Sequence, residues 1–179
     1  MTFDLVLHQA NKLHENDKFK EAENLYRDVL KAQPKHLDAL NNLGLVLLQL
    51  GKIDEAEISC RKAIEINFHF VEAHFNLGNI LYTLKKFDEA ELCYKKTIEL
   101  KIDHDKAHNN LGIVLNQLNR LKEAIISFKK AIALNPASNE FHKNLDETVS
   151  QYELSLIAQK MDNSKKNNVP LLFNSLISN

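Results

Sequence analysis

The sequence predicts an all-α protein, namely an α-solenoid of four helix pairs of equal length followed by a C-terminal capping helix. The first supporting observation is a fixed period, since Gly44, Gly78 and Gly112 lie at equal intervals, as is typical of repeat architectures. The second is composition, since 4 glycines and 3 prolines in 179 residues are too few turn residues for a fold of many strands. Both observations favour stacked helices over a sheet protein.

A frame of this period that starts at Phe3 divides most of the chain into equal units without any insertion or deletion. The units are residues 3–36, 37–70, 71–104 and 105–138. Small side chains recur at the same place in every unit, at Ala22, Ala56, Ala90 and Ala124. A single unit cannot bury its apolar face alone, so we expect neighbouring units to stack into one continuous core.

Each unit is predicted to form two amphipathic helices, as the second unit illustrates. Its first helix is expected over Leu37–Leu50 and its second over Asp54–Ile66, because apolar residues recur there at helical spacing. Gly44 and Ala56 have almost no side chain, which lets the two helices approach closely. Gly51 lies between the helices, at a position that suits a left-handed residue after a helix end.

The residues after the fourth unit are predicted to form a cap and a tail. Residues 139–161 show one apolar helical stripe, which suits a helix that covers the last repeat. The stripe consists of Phe141, Leu145, Val149, Tyr152 and Leu156. Residues 162–179 are predicted to be a polar linker followed by a short amphipathic segment. The apolar side chains of that segment, the candidates for docking into a groove, are Val169, Leu172, Phe173 and Leu176.

The pattern Leu43-Gly44 … Ala56 … Ala63, with its counterparts in the other units, resembles the tetratricopeptide repeat (TPR) family. Several such matches in one register make the resemblance specific. The resemblance implies a right-handed solenoid in which the first helix of every pair lines a concave surface. It implies further that this surface binds a protein or a peptide segment as its partner.

One column of the implied concave surface is a row of asparagines that starts in the second unit, at Asn42, Asn76, Asn110 and, in the cap, Asn144, whereas the first unit has His8 there. A primary amide offers two donors and an acceptor, so this row is a candidate for binding the backbone of an extended peptide. The row resembles the asparagine ladder in the TPR superhelix of O-GlcNAc transferase. The alternative is that these amides bridge neighbouring repeats. The other candidate peptide-binding residues are Leu45, Phe75, Asn79, Tyr82, Lys106 and Ile113.

The residue inventory points away from catalysis and from cofactors. The sequence contains no glycine-rich phosphate loop and no nucleophile motif, so we expect no enzyme activity and no cofactor. His74, His108 and His142 are spaced by one unit length each, which separates them too widely in a helical repeat to share a metal ion. Cys60 and Cys93 are predicted to be reduced structural thiols.

Charge and hydropathy limit the partners and the location. The 23 basic and 24 acidic residues nearly cancel, whereas nucleic-acid-binding proteins typically have a basic excess. No apolar run approaches the roughly 18 residues of a membrane-spanning helix, and the amino terminus does not resemble a secretory signal. We therefore expect a cytoplasmic protein with no nucleic-acid partner and no membrane partner.

Three functions remain open at the level of sequence. The leading one is a non-catalytic interaction module that binds an extended peptide or partner segment in the concave groove. The second, suggested by the TPR resemblance, is the substrate-recognition arm of a larger enzyme of glycosyltransferase, sulfotransferase or oxygenase type, whose catalytic domain is absent from this chain. The third is a self-associating scaffold, a homodimer in which the tail at 169–177 enters the groove of a neighbouring copy.

Overall fold

The computed structural model describes the backbone of residues 3–177 and the side chains of residues 4–161. Over this described backbone the chain forms nine helices and no strand, which confirms the predicted all-α solenoid. The two helices of the second unit begin and end within one residue of their predicted bounds. The helices are α1 Phe3–Glu15, α2 Phe19–Ala32, α3 Leu37–Gln49, α4 Ile53–Ile66, α5 Val71–Thr83, α6 Phe87–Leu100, α7 Asp105–Gln117, α8 Leu121–Leu134 and α9 Asn139–Ile177.

A tight turn of the same geometry joins the two helices of each repeat. Gly51 has a φ of +73°, so the predicted left-handed residue is confirmed. The equivalent residues of the other repeats have φ between +58° and +59°. They are Asp17, Lys85 and Asn119. Asparagine and aspartate adopt this region more readily than most residues, and the shared turn explains why one frame without insertions fits all four units.

The glycine column marks the closest approach of the paired helices. A Cβ atom added to Gly78 would lie 2.7 Å from the ring of Tyr94, and one added to Gly44 would lie 2.6 Å from Cys60 Sγ. Gly112 meets the ring of Phe128 in the same way. These second-helix side chains are buried in one continuous core that runs through all four repeats. The predicted close approach is thus explained by an aromatic or sulfur-containing side chain that fills the space above each glycine.

The backbone arrangement places the first helices on the inner side of the solenoid. The first helices of neighbouring repeats come within 8 Å of each other, from α1 and α3 through to α7 and α9. The second helices of neighbouring repeats do not come this close anywhere in the described part of the chain. Because the first helices are closer together than the second helices, the array curves with the first helices on its concave side.

The last helix, α9, covers the fourth repeat by packing on α8 and α7. Phe141 near its start is buried and Leu145 is half-buried, in agreement with the predicted stripe. Burial then decreases along the helix, and Leu156 is exposed. Leu154 and Ile157 are exposed as well, so the outer face of the cap carries apolar side chains, although the terminal caps of solenoids typically have a polar outer face.

The backbone of α9 differs from the prediction beyond residue 161, because the helix continues to Ile177 through the segment 162–168 that was expected to be a linker. Polar composition alone does not end a helix, and no glycine or proline occurs between Asn139 and Val169. Among the helices of the described part, none has the length and apolarity needed to cross a membrane. The tail residues predicted to dock lie outside the described side chains, so their docking stays a prediction: Val169, Leu172, Phe173 and Leu176.

Candidate functional site

Two adjoining pockets form a groove on the concave side of the solenoid. The first has a volume of about 210 Å³ and is lined by Asn79, Tyr82, Asn110 and Ile113, together with neighbouring side chains. Ile113 continues into the second pocket of about 180 Å³, which Asn144 lines as well. We call these two pockets the concave groove. The structure therefore brings five of the predicted peptide-binding residues together in one groove.

The other predicted residues lie outside the concave groove. Asn76 is only 7% exposed, which leaves little of its amide for a partner. Phe75 is half-buried because its ring packs against those of Tyr94 and His104, with centroids 5.9 and 4.6 Å away. Of the remaining three, two are half-buried and one is exposed: Asn42, Leu45 and Lys106, respectively.

The first part of the asparagine row is hydrogen-bonded within the protein. Asn76 Nδ2 donates to Asn41 Oδ1 at 2.8 Å, and Asn41 Nδ2 donates to Asn42 Oδ1 at 3.3 Å. Asn42 Nδ2 in turn donates to Asn11 Oδ1 at 3.1 Å. The hydroxyl of Tyr26 donates to the same oxygen of Asn11 at 2.7 Å. This network, which we call the N-terminal amide network, links repeats one, two and three.

A second network of the same composition occurs further along the chain. Asn144 Nδ2 donates to Asn109 Oδ1 at 2.9 Å, and Asn109 Nδ2 donates to Asn110 Oδ1 at 3.2 Å. Asn110 Nδ2 donates to Asn79 Oδ1 at 2.9 Å. The hydroxyl of Tyr94 donates to that oxygen of Asn79 at 2.8 Å. This C-terminal amide network links repeats three and four to α9.

The two networks reveal a second period that is twice the length of a repeat, because each member of the first network has its counterpart two repeats later. We call it the double-repeat period. The pair Asn41-Asn42 of repeat two recurs as Asn109-Asn110 in repeat four, whereas repeat three has Phe75 before its asparagine.

The aromatic slot of the second helices follows the same double-repeat period. Tyr26 and Tyr94 occupy this slot in repeats one and three, where their hydroxyls reach an asparagine. Repeats two and four have Cys60 and Phe128 there, and neither side chain offers a hydroxyl. A tyrosine donor is therefore present in every second repeat.

The asparagine row bridges neighbouring repeats, which is the role that the sequence analysis left open as the alternative. Each of its four members donates one hydrogen bond to an asparagine of the preceding repeat. Sequence reasoning missed the acceptors Asn11, Asn41 and Asn109. Their signal in the sequence is the recurrence, two repeats later, of Asn11 in Asn79 and of Asn41 in Asn109.

The C-terminal amide network leaves one amide nitrogen accessible from the concave groove. Both hydrogen bonds of the Asn79 side chain use its oxygen, and its Nδ2 makes none within the described part of the chain. No buried side-chain nitrogen or oxygen in that part lacks a partner, so Asn79 Nδ2 is in contact with solvent. Asn79 thus offers two N–H donors whose direction is fixed by Tyr94 and Asn110.

Burial keeps the two network tyrosines in their donating form. It raises the pKa of Tyr26 to about 12, against the ordinary value of 10. Burial raises the pKa of Tyr94 in the same direction. Both hydroxyls therefore stay protonated at neutral pH and act as donors to the asparagine oxygens.

The histidine column has a structural role. Nε2 of each ring lies 2.8 to 3.1 Å from a backbone carbonyl oxygen of the turn that precedes its helix. A carbonyl oxygen only accepts, so Nε2 carries the proton and donates it. The histidines concerned are His74, His108 and His142. Within the described residues, no three side chains of His, Cys, Asp or Glu are grouped to hold a metal ion.

Charged side chains join consecutive second helices on the outer side. Glu23 accepts hydrogen bonds from Arg27 at 3.0 Å and from Lys52 of the next repeat at 2.7 Å. The same arrangement recurs one repeat later, where Glu57 binds Arg61 and Lys86. Partial burial raises the pKa of these glutamates, but the hydrogen bonds from their two cations outweigh it and lower the pKa overall. We call this set the outer ion-pair ladder, and its third rung consists of Glu91, Lys95 and Arg120.

Stacked helix pairs of equal length with a grooved inner face define a helical-repeat solenoid, a class of protein that binds partners along its concave surface. Family models described as tetratricopeptide repeat match residues 7–67, 71–104 and 105–138. The chain belongs to the tetratricopeptide repeat family, and the resemblance seen in the sequence is confirmed. Repeats of this family act as protein-interaction modules.

Solved structures share this fold. A crystal structure of MamA is 22% identical with a TM-score of 0.71, and the match covers 87% of this chain and 96% of that chain. MamA from Desulfovibrio magneticus RS-1 is 17% identical with a TM-score of 0.78, covering 90% and 92%. YrrB, described as a TPR protein with an unusual peptide-binding site, is 21% identical with a TM-score of 0.70, covering 83% and 76%. The comparison with curated proteins gives no match.

Proposed function

We propose that the protein is a non-catalytic interaction module that binds an extended peptide segment in the concave groove. The observation that carries this proposal is the accessible amide nitrogen of Asn79, which lies in the groove while its oxygen is held by Tyr94 and Asn110. An extended peptide presents backbone carbonyl groups that accept hydrogen bonds from such donors. Because the amide is already held in place, little side-chain entropy is lost when a peptide binds.

Apolar side chains beside Asn79 supply the second component of peptide binding. Leu48, Tyr82 and Ile113 line the same pocket and are half-buried, so part of their surface remains available to a partner. Ligand sites typically combine such apolar walls with a few placed polar groups. YrrB, which shares the fold, is described as having an unusual peptide-binding site, and this supports peptide binding in general.

The N-terminal amide network provides an equivalent donor two repeats earlier. Asn11 Oδ1 accepts from Tyr26 and Asn42, and Asn11 Nδ2 makes no hydrogen bond within the described residues. The Asn11 side chain thus repeats the arrangement of Asn79. A peptide that follows the concave side through repeats one to three meets a side-chain amide donor for its backbone carbonyls at both positions. This favours a long extended segment over a short one.

Two cysteines support the non-catalytic part of the proposal, and they also support a cytoplasmic location, which we propose in addition. Burial raises the pKa of Cys60 to about 12 and that of Cys93 to about 11, so both stay as thiols at neutral pH. A thiol is a much weaker nucleophile than a thiolate, which disfavours a catalytic role for either residue. Both cysteines are free, as is usual for proteins of the reducing cytoplasm.

The substitution Asn79→Asp tests the groove. Aspartate keeps an oxygen for Tyr94 and Asn110 but removes both N–H donors. The probe is a library of random dodecapeptides displayed on phage and selected on the full chain. We expect a class of selected peptides whose Kd rises about five- to tenfold on Asn79→Asp, which corresponds to the loss of roughly 1 kcal/mol.

A matched control separates the lost donor from the added charge. Asn119→Asp makes the same chemical change in the α7–α8 turn, where φ is +58° and both residue types are tolerated. We expect binding of the same peptides to be unchanged in this variant. If no selected peptide distinguishes Asn79→Asp from the parent protein, or if Asn119→Asp weakens binding equally, the proposed groove is wrong.

A further inference from the structure

The outer side of the solenoid holds another cleft, at the joint between repeats one and two. It has a volume of about 500 Å³ and lies between α2 and α4, with α3 as its floor. Leu40, Leu43 and Leu47 form the floor, while Leu30 and Ile58 form the walls. Ile58 is 54% exposed, although it is a large apolar residue. The volume lies within the range of about 300–1,000 Å³ that is typical of ligand sites.

The equivalent place in the next joint is filled by side chains of the protein itself. Phe68 stands where repeat one has Pro34, and His74 stands where repeat two has Leu40. The rings of Phe68 and His74 pack with centroids 5.5 Å apart, and Lys96 Nζ lies 4.6 Å from the centroid of Phe68. The first joint has neither ring, so the same backbone arrangement leaves its apolar floor open.

The rim of the outer cleft is basic. Arg27, Lys31 and Lys62 line it against the single carboxylate of Glu55. Arg27 is paired with Glu55 and Lys31 with Asp28, whereas Lys62 makes no ion pair within the described part of the chain. Among the side chains that line the cleft, three are basic and one is acidic, whereas 23 basic residues nearly balance 24 acidic ones in the chain as a whole.

We infer that the outer cleft binds a partner peptide that carries a bulky apolar side chain next to acidic residues. The apolar side chain is transferred from water to the leucine floor, and a neighbouring carboxylate pairs with Lys62. Charge complementarity selects such a segment over a neutral or basic one with the same apolar anchor. The cleft lies on the outer side and the concave groove on the inner side, so the two sites take different peptides.

The charge reversal Lys62→Glu tests this inference on the full chain. Clones of the random dodecapeptide phage library selected on the parent protein are sorted by their sensitivity to the substitution. We expect one class of clones to lose about tenfold in affinity, and to be enriched in Asp or Glu next to Leu, Ile or Phe. The same clones are expected to keep their affinity for Asn79→Asp, which affects only the concave groove.

A matched control and a second variant complete the test. Lys130 takes the position of Lys62 on the second helix of repeat four, is exposed and makes no ion pair within the described residues, so Lys130→Glu is expected to leave these clones unaffected. Ile58→Ser removes the apolar wall at an exposed position and is expected to weaken the same clones. Thermal melting of all variants verifies the fold.

Three outcomes would overturn the inference. The first is that no selected clone distinguishes Lys62→Glu from the parent. The second is that the sensitive clones carry no acidic residues, and the third is that Lys130→Glu weakens them equally. None of these outcomes depends on the concave groove, whose own clones are recognised by their sensitivity to Asn79→Asp. Failure of one site is therefore distinguishable from failure of the other.

Discussion

The amide networks on the concave side and the ion-pair ladder on the outer side both join neighbouring repeats, but they do so in different surroundings. Asn109, Asn41 and Asn76 are 1%, 5% and 7% exposed. The cations of the ladder keep much of their surface in water, since the side chains of Lys52 and Lys86 are each 43% exposed. The most buried members of the networks are thus neutral amides, whereas each rung of the ladder joins a largely buried glutamate to cations that water screens.

The two sets also end at different places. The C-terminal amide network reaches the cap, because Asn144 on α9 donates to Asn109. The outer ion-pair ladder stops at repeat four, where Ile125 and Leu154 stand in the columns that hold a glutamate and a lysine or arginine in the preceding repeats. The joint between repeat four and α9 is therefore held on its concave side by hydrogen bonds, and the outer ion-pair ladder does not extend to it.

The largest difference between the two sides is expected for Asn109→Ala. This substitution removes the acceptor of the Asn144 amide and the donor to the Asn110 oxygen, at a position that is only 1% exposed. We expect the free energy of unfolding to fall by about 2 kcal/mol, since an unsatisfied buried polar group costs roughly 1–3 kcal/mol. The measurement is the urea midpoint of the parent and the variant.

Asn41→Ala is the matched variant for this prediction, because Asn41 holds the equivalent place in the N-terminal amide network. Equal losses in the two variants would show that the two amide networks contribute equally to the free energy of unfolding. Losses below about 0.5 kcal/mol are typical of exposed surface substitutions, and they would contradict the claim that the networks stabilise the fold.

A smaller effect is expected when only one donor of a network is removed. Tyr94→Phe deletes the hydroxyl that donates to Asn79 Oδ1, but this oxygen still accepts from Asn110. We expect a loss of about 1 kcal/mol by urea unfolding, the usual value of one hydrogen bond. Tyr26→Phe is expected to match it. A loss as large as that of Asn109→Ala would mean that the tyrosine, rather than the asparagine pair, holds the network together.

Most of the fold could be predicted from the sequence because its determinants are local or strictly periodic. The spacing of Gly44, Gly78 and Gly112 fixes the frame, and helical periodicity together with Gly51 fixes the helix ends within one position. The helical continuation of α9 past residue 161 was not predicted, because a polar segment without glycine or proline is compatible with both a linker and a helix.

The site was predictable only in part, because hydrogen-bond partners in neighbouring repeats cannot be identified from one column alone. The asparagine row was found, but its acceptors were missed since Asn41 and Asn109 lie beside the row rather than in it. Asn79 was predicted as a groove residue, while the clamp on its oxygen follows from the position of Tyr94, which only the structure shows. The outer cleft is open because Pro34 and Leu40 do not fill the space that aromatic rings fill in the next joint. This is a property of the packing, and no sequence motif indicates it.

The smallest effect, and the one that separates the two sides most clearly, is expected for Glu57→Gln. The pKa of Glu57 is lowered below its usual value of 4.5, because hydrogen bonds from Arg61 and Lys86 outweigh the effect of burial. A carboxylate with a lowered pKa stabilises the folded state above about pH 4.5, and this stabilisation is lost as the pH falls through the folded-state pKa. At pH 7 we expect a loss of about 0.5 kcal/mol in the variant, since partly exposed ion pairs contribute little.

Acid and salt distinguish the stabilisation that Glu57 supplies from the stabilisation that the amide networks supply. As the pH falls below the folded-state pKa, Glu57 of the parent becomes protonated, and the parent and Glu57→Gln are expected to unfold at the same urea concentration. At pH 7 in 1 M NaCl, where the screening length is about 3 Å, their difference should shrink. The loss caused by Asn41→Ala involves hydrogen bonds to neutral amides, so its size should stay the same in both conditions. If salt or acid reduces the two differences equally, the assignment of neutral bonding to one side of the solenoid and ionic bonding to the other is wrong.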